Sequence, residues 1–424
     1  MSVSTLYLCY FGLREPLVQT QVLPYLRELV AGGVRVSLLT FETRPSESWK
    51  PEELEAERAR LEAQGIRWHW RAYHKRPSLP ATLYDVAAGA RVASRLRARG
   101  EADVFHARGH VAALMAALAK RRRGGRMLFD IRGFMPEEYT DAGVWPAGGA
   151  LYRGVKVVER SLMRSADAFV VLTERAREIL FQGRDESDGR PVEVIPCCVD
   201  TERFRAADAV SRESVREELG IGADRRAFVY VGALGGWYLT EEMADLLARA
   251  HADDPRAFTL VITQSRPEMI AGPLRARGVR DEDFLVRRVA PSEVPRHLKA
   301  ADVAVSFIKP CYSKLSSSPT KLAEYLAAGL PVVCNAGVGD VDAVVEGERV
   351  GCIVRELNAE AYGAALAEVE SLAREPGLAD RCRDAALRRF DLRTVGGPRY
   401  RRLYRRLLGA EPAEPPLARA TARV

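Results

Sequence analysis

Residues 312–333 read Tyr312-Ser313-Lys314-Leu315-Ser316-Ser317-Ser318-Pro319-Thr320-Lys321-Leu322-Ala323-Glu324-Tyr325-Leu326-Ala327-Ala328-Gly329-Leu330-Pro331-Val332-Val333. An apolar run, Val303–Phe307, precedes this stretch, and a second, Pro331–Cys334, overlaps its end. Between them a loop of small polar residues leads into an amphipathic segment, Pro319–Ala328, with Pro319 near its first position and Gly329 just past its last. Strand, polar loop, helix and strand make the repeating unit of a parallel α/β sheet. The unpaired N–H groups at such a helix start form a ready anion site. Lys321 falls in the first turn, where a cation opposes the helix dipole, and a bound phosphate would resolve that conflict. Glu324 follows one turn later on nearly the same face, spaced to reach two neighbouring hydroxyls, while Leu322, Tyr325 and Leu326 supply the buried side. The competing reading is a solvated Lys321–Glu324 pair at i, i+3, worth only tenths of a kcal/mol.

Outward from this stretch the same alternation covers the chain. In the first half, strands are expected at Thr5–Tyr10, Val34–Thr40, Ile66–Trp70, Asp103–His106, Met127–Ile131, Ala168–Leu172 and Val192–Ile195. Helices are expected at Gln21–Ala31, Pro51–Ala63, Ala81–Arg99 and His110–Arg122. In the second half the strands are Ala227–Gly232, Thr259–Thr263, Phe284–Val286, Val303–Phe307, Pro331–Cys334 and Gly351–Val354. The helices there are Thr240–Ala250, Pro267–Arg277, Pro291–Ala300, Pro319–Ala328, Ala359–Arg374, Asp380–Phe390 and Gly397–Leu408. The expected class is therefore α/β, two Rossmann-like doubly wound domains facing a central cleft. Their expected bounds are 1–196 and 197–390, followed by 391–424 as a returning helix and a tail that frays after Gly409. Ligands in such folds lie at the carboxyl ends of the strands.

Several strand ends carry polar residues that could meet a ligand. Gly12 follows the first strand, and Gly232 begins the Gly-rich turn Gly232-Ala233-Leu234-Gly235-Gly236-Trp237. His106-Ala107-Arg108 ends the fourth strand, and Asp130-Ile131-Arg132 followed by Glu137-Glu138 ends the fifth. Arg132 and Arg108 suit a phosphate or carboxylate, and Glu137 and Glu138 suit sugar hydroxyls. The alternative is an internal Asp–Arg–Glu network that pins the loop. No GxGxxG and no GxxxxGK[ST] is present.

Composition excludes other classes. With 47% hydrophobic and 29% charged residues, the 424-residue chain is a folded globular protein. The formal charge is +7, but Arg381–Val424 holds twelve Arg against four acids, so the rest sums to −1. No basic stripe on a nucleic-acid module is present, and no nucleic-acid partner is expected. No run suits a membrane span, and Met1–Tyr10 lacks the pattern of a signal peptide. The seven Cys have no CxxC spacing and sit mostly in apolar runs, as expected of buried thiols in a reducing cytoplasm.

Several stretches together resemble a retaining glycosyltransferase of the GT-B fold, family 4 (glycosyl transferases group 1). They are the Gly12 loop before Val22-Leu23-Pro24-Tyr25-Leu26, Asp103–His106, Ala166–Thr173 and Val194–Asp200 with Arg203-Phe204. Tyr230-Val231-Gly232, Ala301-Asp302 and Lys321–Val333 complete the set. The resemblance implies a nucleotide-sugar donor as co-substrate, with no other cofactor and no metal. It implies that Glu324 holds the ribose, the backbone around Ser317–Thr320 the diphosphate, and Val289 the base. Lys321, Arg132 and Gly12 are expected at the reacting centre. A small-molecule or lipid-linked acceptor would meet His106, Arg108, Glu137 and Glu138. Two departures stand out. The family's first signature Glu falls on Ser316, assigned here to the donor site, and its Arg…Lys pair after the Gly232-type glycine is missing. Lys321 is the expected replacement, with Arg132 or Lys314 as seconds. The expected location is cytoplasmic, with weak contact at the inner membrane face through the basic end. Two alternatives stay open: a nucleotide-sugar epimerase or hydrolase on the same fold, and a non-catalytic membrane-surface protein. The oligomeric state is left open.

Overall fold

The computed structural model describes residues 3–43 and 49–409. The first sheet has eight strands: β1 (Ser4–Cys9), β2 (Arg35–Thr43), β3 (Ile66–Tyr73), β4 (Val104–Arg108), β5 (Arg126–Asp130), β6 (Ala168–Val171), β7 (Glu186–Ser187) and β8 (Arg190–Val194). They lie in the order β3-β2-β1-β4-β5-β6-β8-β7, all parallel except the short hairpin strand β7. The second sheet is fully parallel: β9 (Arg226–Val231), β10 (Ala257–Ile262), β11 (Phe284–Arg287), β12 (Val303–Ser306), β13 (Val332–Asn335) and β14 (Gly351–Val354), in the order β11-β10-β9-β12-β13-β14. This is a GT-B architecture.

Alternation along the strands splits the first domain's core between its two faces. Leu6 and Leu8 of β1 pack with Phe41, Phe105, Phe129 and Phe169 on one face. Tyr7 and Cys9 pack with Leu38, Val104 and Leu128 on the other. Helices cover both faces, so the inner strands are buried throughout, as parallel sheets require. In each sheet the chain reverses its direction of winding at one strand pair, β1/β4 and β9/β12. A crevice opens at such a point.

Elements differ from expectation where the chain breaks or where loops hold hidden helices. The segment expected as Gln21–Ala31 is two helices, Pro16–Gln21 and Leu23–Ala31, broken at Val22 (φ −120°, ψ −64°). The break puts Pro24 in a first turn, where its missing N–H costs nothing. Pro319 caps the helix Thr320–Ala327 rather than opening it. The expected helix Pro291–Ala300 is shortened to Val294–Leu298. Helices Met135–Asp141, Ala150–Ser165, Glu174–Phe181 and Val341–Gly347 had no counterpart in the sequence reading.

After the second domain the chain returns. Asp391 accepts from the N–H groups of Arg393 and Thr394 and opens a π-helical turn, Leu392–Gly396. The helix Gly397–Leu407 then packs on the first domain, with Tyr400, Leu403 and Tyr404 in that domain's core. Arg401 pairs with Glu28 (2.8 Å), Arg406 with Glu186 (2.8 Å), and Arg402 with Glu193. Arg388 and Arg389 instead grip Glu348 within the second domain (2.6 and 2.8 Å), and Arg383 pairs with Asp380 (3.2 Å). The tail after Gly409 lies outside the described residues. Six Cys are buried, Cys311 is half-buried, and all seven are free thiols. No helix among the described residues is long and apolar enough to cross a membrane.

Candidate active site

A cavity of about 320 Å³ opens at the carboxyl ends of β9 and β12. Val231, Gly232, Trp237, Tyr238, Ile308, Lys314, Ser317, Ser318, Thr320, Lys321 and Glu324 line it, with Thr20 from the first domain. Gly232 stands at φ +140°, and a Cβ there would meet the Lys321 ammonium at 2.8 Å. Only a glycine lets the backbone pass so close to that side chain. Gly235 and Gly236 continue the turn in left-handed conformations (φ +73° and +61°) and return Trp237 and Tyr238 to the cavity wall.

Lys321 is buried in an aromatic slot. Its Nζ donates to the Tyr230 hydroxyl at 2.9 Å and lies 4.1 Å from the ring centroids of both Tyr230 and Tyr238. It makes no ion pair with Glu324 among the described residues, so the solvated-pair reading is set aside. Burial pushes the Lys321 ammonium down to about 7 against the pull of Glu324. Burial likewise pushes the Glu324 carboxyl up to about 7, opposed by Arg203 and Lys321. The Glu324 carboxyl has no hydrogen-bond partner among the described residues. No side chain caps the helix Thr320–Ala327. Its first turn therefore presents backbone N–H groups beside an ammonium held close to its titration point. Lys314 is a second cation on the wall, 4.0 Å over the Trp237 ring and 3.0 Å from Glu138 of the other domain.

The cavity thus gathers Lys321, Glu324, Ser317, Ser318, Thr320 and Gly232. The other expected residues lie elsewhere. Ser316 is buried beneath the loop, where its hydroxyl accepts from the N–H of Phe134 (3.2 Å) and donates to the Ser313 carbonyl (2.7 Å). It belongs to a band of contacts joining the domains. Thr173 donates to the Leu315 carbonyl (2.9 Å), the N–H of Cys197 to Ser318 Oγ (3.1 Å), and the N–H of Ser313 to Asp141 (2.8 Å). Val289 packs against the second core, and its carbonyl accepts from Gln264 (2.9 Å). Gly12 abuts Glu42, whose Oε2 would stand 3.0 Å from a Cβ there.

The residues expected at the acceptor lie outside this cavity. His106 and Arg108 are buried, 1% and 6% exposed, and do not line this cavity. His106 Nδ1 lies 2.9 Å from the Tyr404 hydroxyl, which also meets Thr5 Oγ1 at 2.8 Å. Asp130 accepts from Tyr400 (3.1 Å) and pairs with Arg132 (3.4 Å), Arg108 (3.8 Å) and His106 (3.6 Å). Burial alone would raise the Asp130 carboxyl, but Arg132, His106 and Arg108 hold it well below the usual range. The returning helix closes this network through Tyr400 and Tyr404. Arg132, expected at the reacting centre, also reaches Cys197 Sγ (3.3 Å), while its Nε has no hydrogen-bond partner among the described residues. Glu137 is held by Tyr152 and Lys156 (3.0 Å each), and Glu138 by Lys314. Trp237, Tyr238 and Thr20 were missed as wall residues, and Tyr230 as the partner of Lys321. The Trp237-Tyr238 pair directly after Gly235-Gly236 was the signal that could have found two of them.

Two family models match the chain. The glycosyl transferase 4-like domain matches residues 18–198, and glycosyl transferases group 1 matches residues 225–371. The chain belongs to the GT-B glycosyltransferases of family 4. The chain is 28% identical over 246 residues to the alpha-maltose-1-phosphate synthase of Mycolicibacterium smegmatis, covering 56% of this chain and 60% of that one. Matches to the curated relatives span only 41% to 60% of those proteins' own lengths. Among solved structures, a glycosyltransferase from Rickettsia africae superposes with a TM-score of 0.71 at 11% identity, over 97% of this chain and all of that one. Anabaena HepE in complex with UDP and glucose gives 0.66 at 15% identity, over 95% and 99%. At these identities the solved structures speak for the fold.

Proposed function

We propose that this glycosyltransferase moves a sugar from a nucleoside-diphosphate sugar to an acceptor hydroxyl with retention of anomeric configuration. The observation that carries this reading is the convergence of an uncapped helix start, Lys321 and the unpaired Glu324 carboxyl on one cavity. The diphosphate sits on the first turn at Thr320 and Lys321, and Glu324 accepts from the ribose hydroxyls. Lys314 supplies the second positive charge. Anabaena HepE, of the same fold, is solved in complex with UDP and glucose, which supports a nucleotide-sugar donor. In the transfer step the bond from the anomeric carbon to the phosphate oxygen breaks. A bond to the acceptor oxygen forms on the same face, and the acceptor proton passes to the leaving phosphate. Lys321, Lys314 and the N–H groups stabilise the charge that develops on that phosphate, so the chemistry needs no divalent cation.

Thermal-shift titration with UDP, GDP, ADP and dTDP tests the reading. One diphosphate should raise Tm in a saturable manner, and Glu324→Gln should weaken its binding. No shift with any of the four would contradict a nucleotide-sugar donor.

A further inference from the structure

The turn Tyr312–Ser316 is held by both domains. From the first, Asp141 accepts from the N–H of Ser313 (2.8 Å), the N–H of Phe134 donates to Ser316 (3.2 Å), and the rings of Phe134 and Tyr312 meet at 5.6 Å. From the second, the Lys314 carbonyl accepts from the N–H groups of Ser317 (3.1 Å) and Gly339 (2.9 Å), and the Lys314 N–H donates to the Cys311 carbonyl (3.0 Å). The backbone of Lys314 is therefore pinned. Only its long side chain, with four rotatable bonds, is free to change partner.

That side chain stands between the cavity and the other domain. Its Nζ lies 4.0 Å over the ring of Trp237 on the cavity wall and 3.0 Å from Glu138 Oε1 of the helix Met135–Asp141. Glu138 and Lys314 are each other's only ion-pair partners among the described residues. Lys321 has no such carboxylate, so of the two cations on the wall only Lys314 is already neutralised in the empty site. The partners differ in burial, with side chains 9% exposed for Lys314 and 35% for Glu138. A buried ammonium left without a counter-charge is unfavourable, whereas a carboxylate as exposed as Glu138 regains hydration when released. The fully buried Asp130, by contrast, has no water to turn to and holds its cations permanently.

We propose that Glu138 is a positioning residue that acts through Lys314: it holds the ammonium in the empty site and competes with the diphosphate for it. A bound diphosphate carries more charge than one carboxylate and draws Lys314 away from Glu138, whose released carboxylate is hydrated. After transfer, Glu138 takes the ammonium back as the nucleoside diphosphate departs, so the emptied site keeps no unpaired buried cation. Glu138 thereby weakens product binding and speeds product release, although it does not line the donor cavity. This rests on the nucleotide-sugar reading above and adds product release to it.

The test is a double-mutant cycle on the full chain, read by titration calorimetry with UDP, GDP, ADP and dTDP and by stopped-flow dissociation of whichever binds. Glu138→Gln should tighten Kd by roughly three- to five-fold, the contribution of one partly exposed ion pair, and the gain should appear as slower dissociation. Damage to the fold would act in the opposite direction. Lys314→Met should weaken binding by about ten-fold or more. In the Lys314→Met background, Glu138→Gln should bring no gain, because the competition passes through the ammonium. Wild-type binding that Glu138→Gln leaves unchanged or weakens would overturn this proposal while leaving the donor reading intact. An equal gain with and without Lys314 would also overturn it, since simple repulsion of the diphosphate by Glu138 would then suffice. No binding of any of the four by the wild type would overturn both.

Discussion

Lys321 combines burial, an aromatic slot and a place in the first turn of a helix, so its charge depends on what lies beside it. Empty, the site holds the ammonium near pH 7. A diphosphate at the same turn favours the charged form and must raise that value. Binding therefore takes up a proton above pH 7, and affinity falls as pH rises, by up to about ten-fold per unit for one proton. Titration calorimetry at pH 8 in buffers of different ionisation enthalpy should report uptake in the wild type and none in Lys321→Met. Lys321→Ala should cut kcat/KM by about 100-fold or more, the usual cost of losing a donor at developing charge. A change within a few-fold would remove Lys321 from the reaction. Glu324→Gln tests the ribose contact, and its effect should appear mainly in KM. The spacing of Lys321 and Glu324 made both legible in the sequence. The absence of a direct ion pair between them was not, because it depends on Tyr230 and Tyr238 arriving from a strand and a turn some ninety residues away.

Elements carried their signals unevenly. Parallel strands buried on both faces read as unbroken apolar runs, and their number and order of occurrence were plain in the sequence. Met135–Asp141 escaped because it is short and carries Pro136 in its first turn, and Ala150–Ser165 because it follows Gly148-Gly149 and holds Gly154. The Lys156–Glu137 pair joins the two helices. The strand-end charges at His106, Arg108 and Asp130 looked like ligand groups because no local pattern shows what covers them. Their cover is the helix Gly397–Leu407, some three hundred residues downstream. Tyr404→Phe leaves His106 Nδ1 without its partner and Thr5 Oγ1 with the Val104 carbonyl (3.2 Å) alone, and should cost about 1–3 kcal/mol in urea unfolding. An unchanged midpoint would contradict the structural role given to this network. Ser316 belongs to the same class. Ser316→Ala orphans the Phe134 N–H between the domains and should lower Tm.

At the scale of the molecule, the two doubly wound domains meet through the loop 309–318, and the returning helix ties the end of the second domain to the first. The excess basic charge at the carboxyl end is internal cement, apart from residues outside the described range. Cations on the cavity wall are few, Lys321 and Lys314, yet a leaving diphosphate carries several negative charges. The account's central claim is that these lysines and the helix N–H groups neutralise it without a divalent ion. Sugar transfer should be followed by mass in excess chelator, using the nucleotide sugar whose diphosphate binds. Product should form at a rate that added magnesium changes by no more than a few-fold. No turnover until magnesium is supplied would contradict the account.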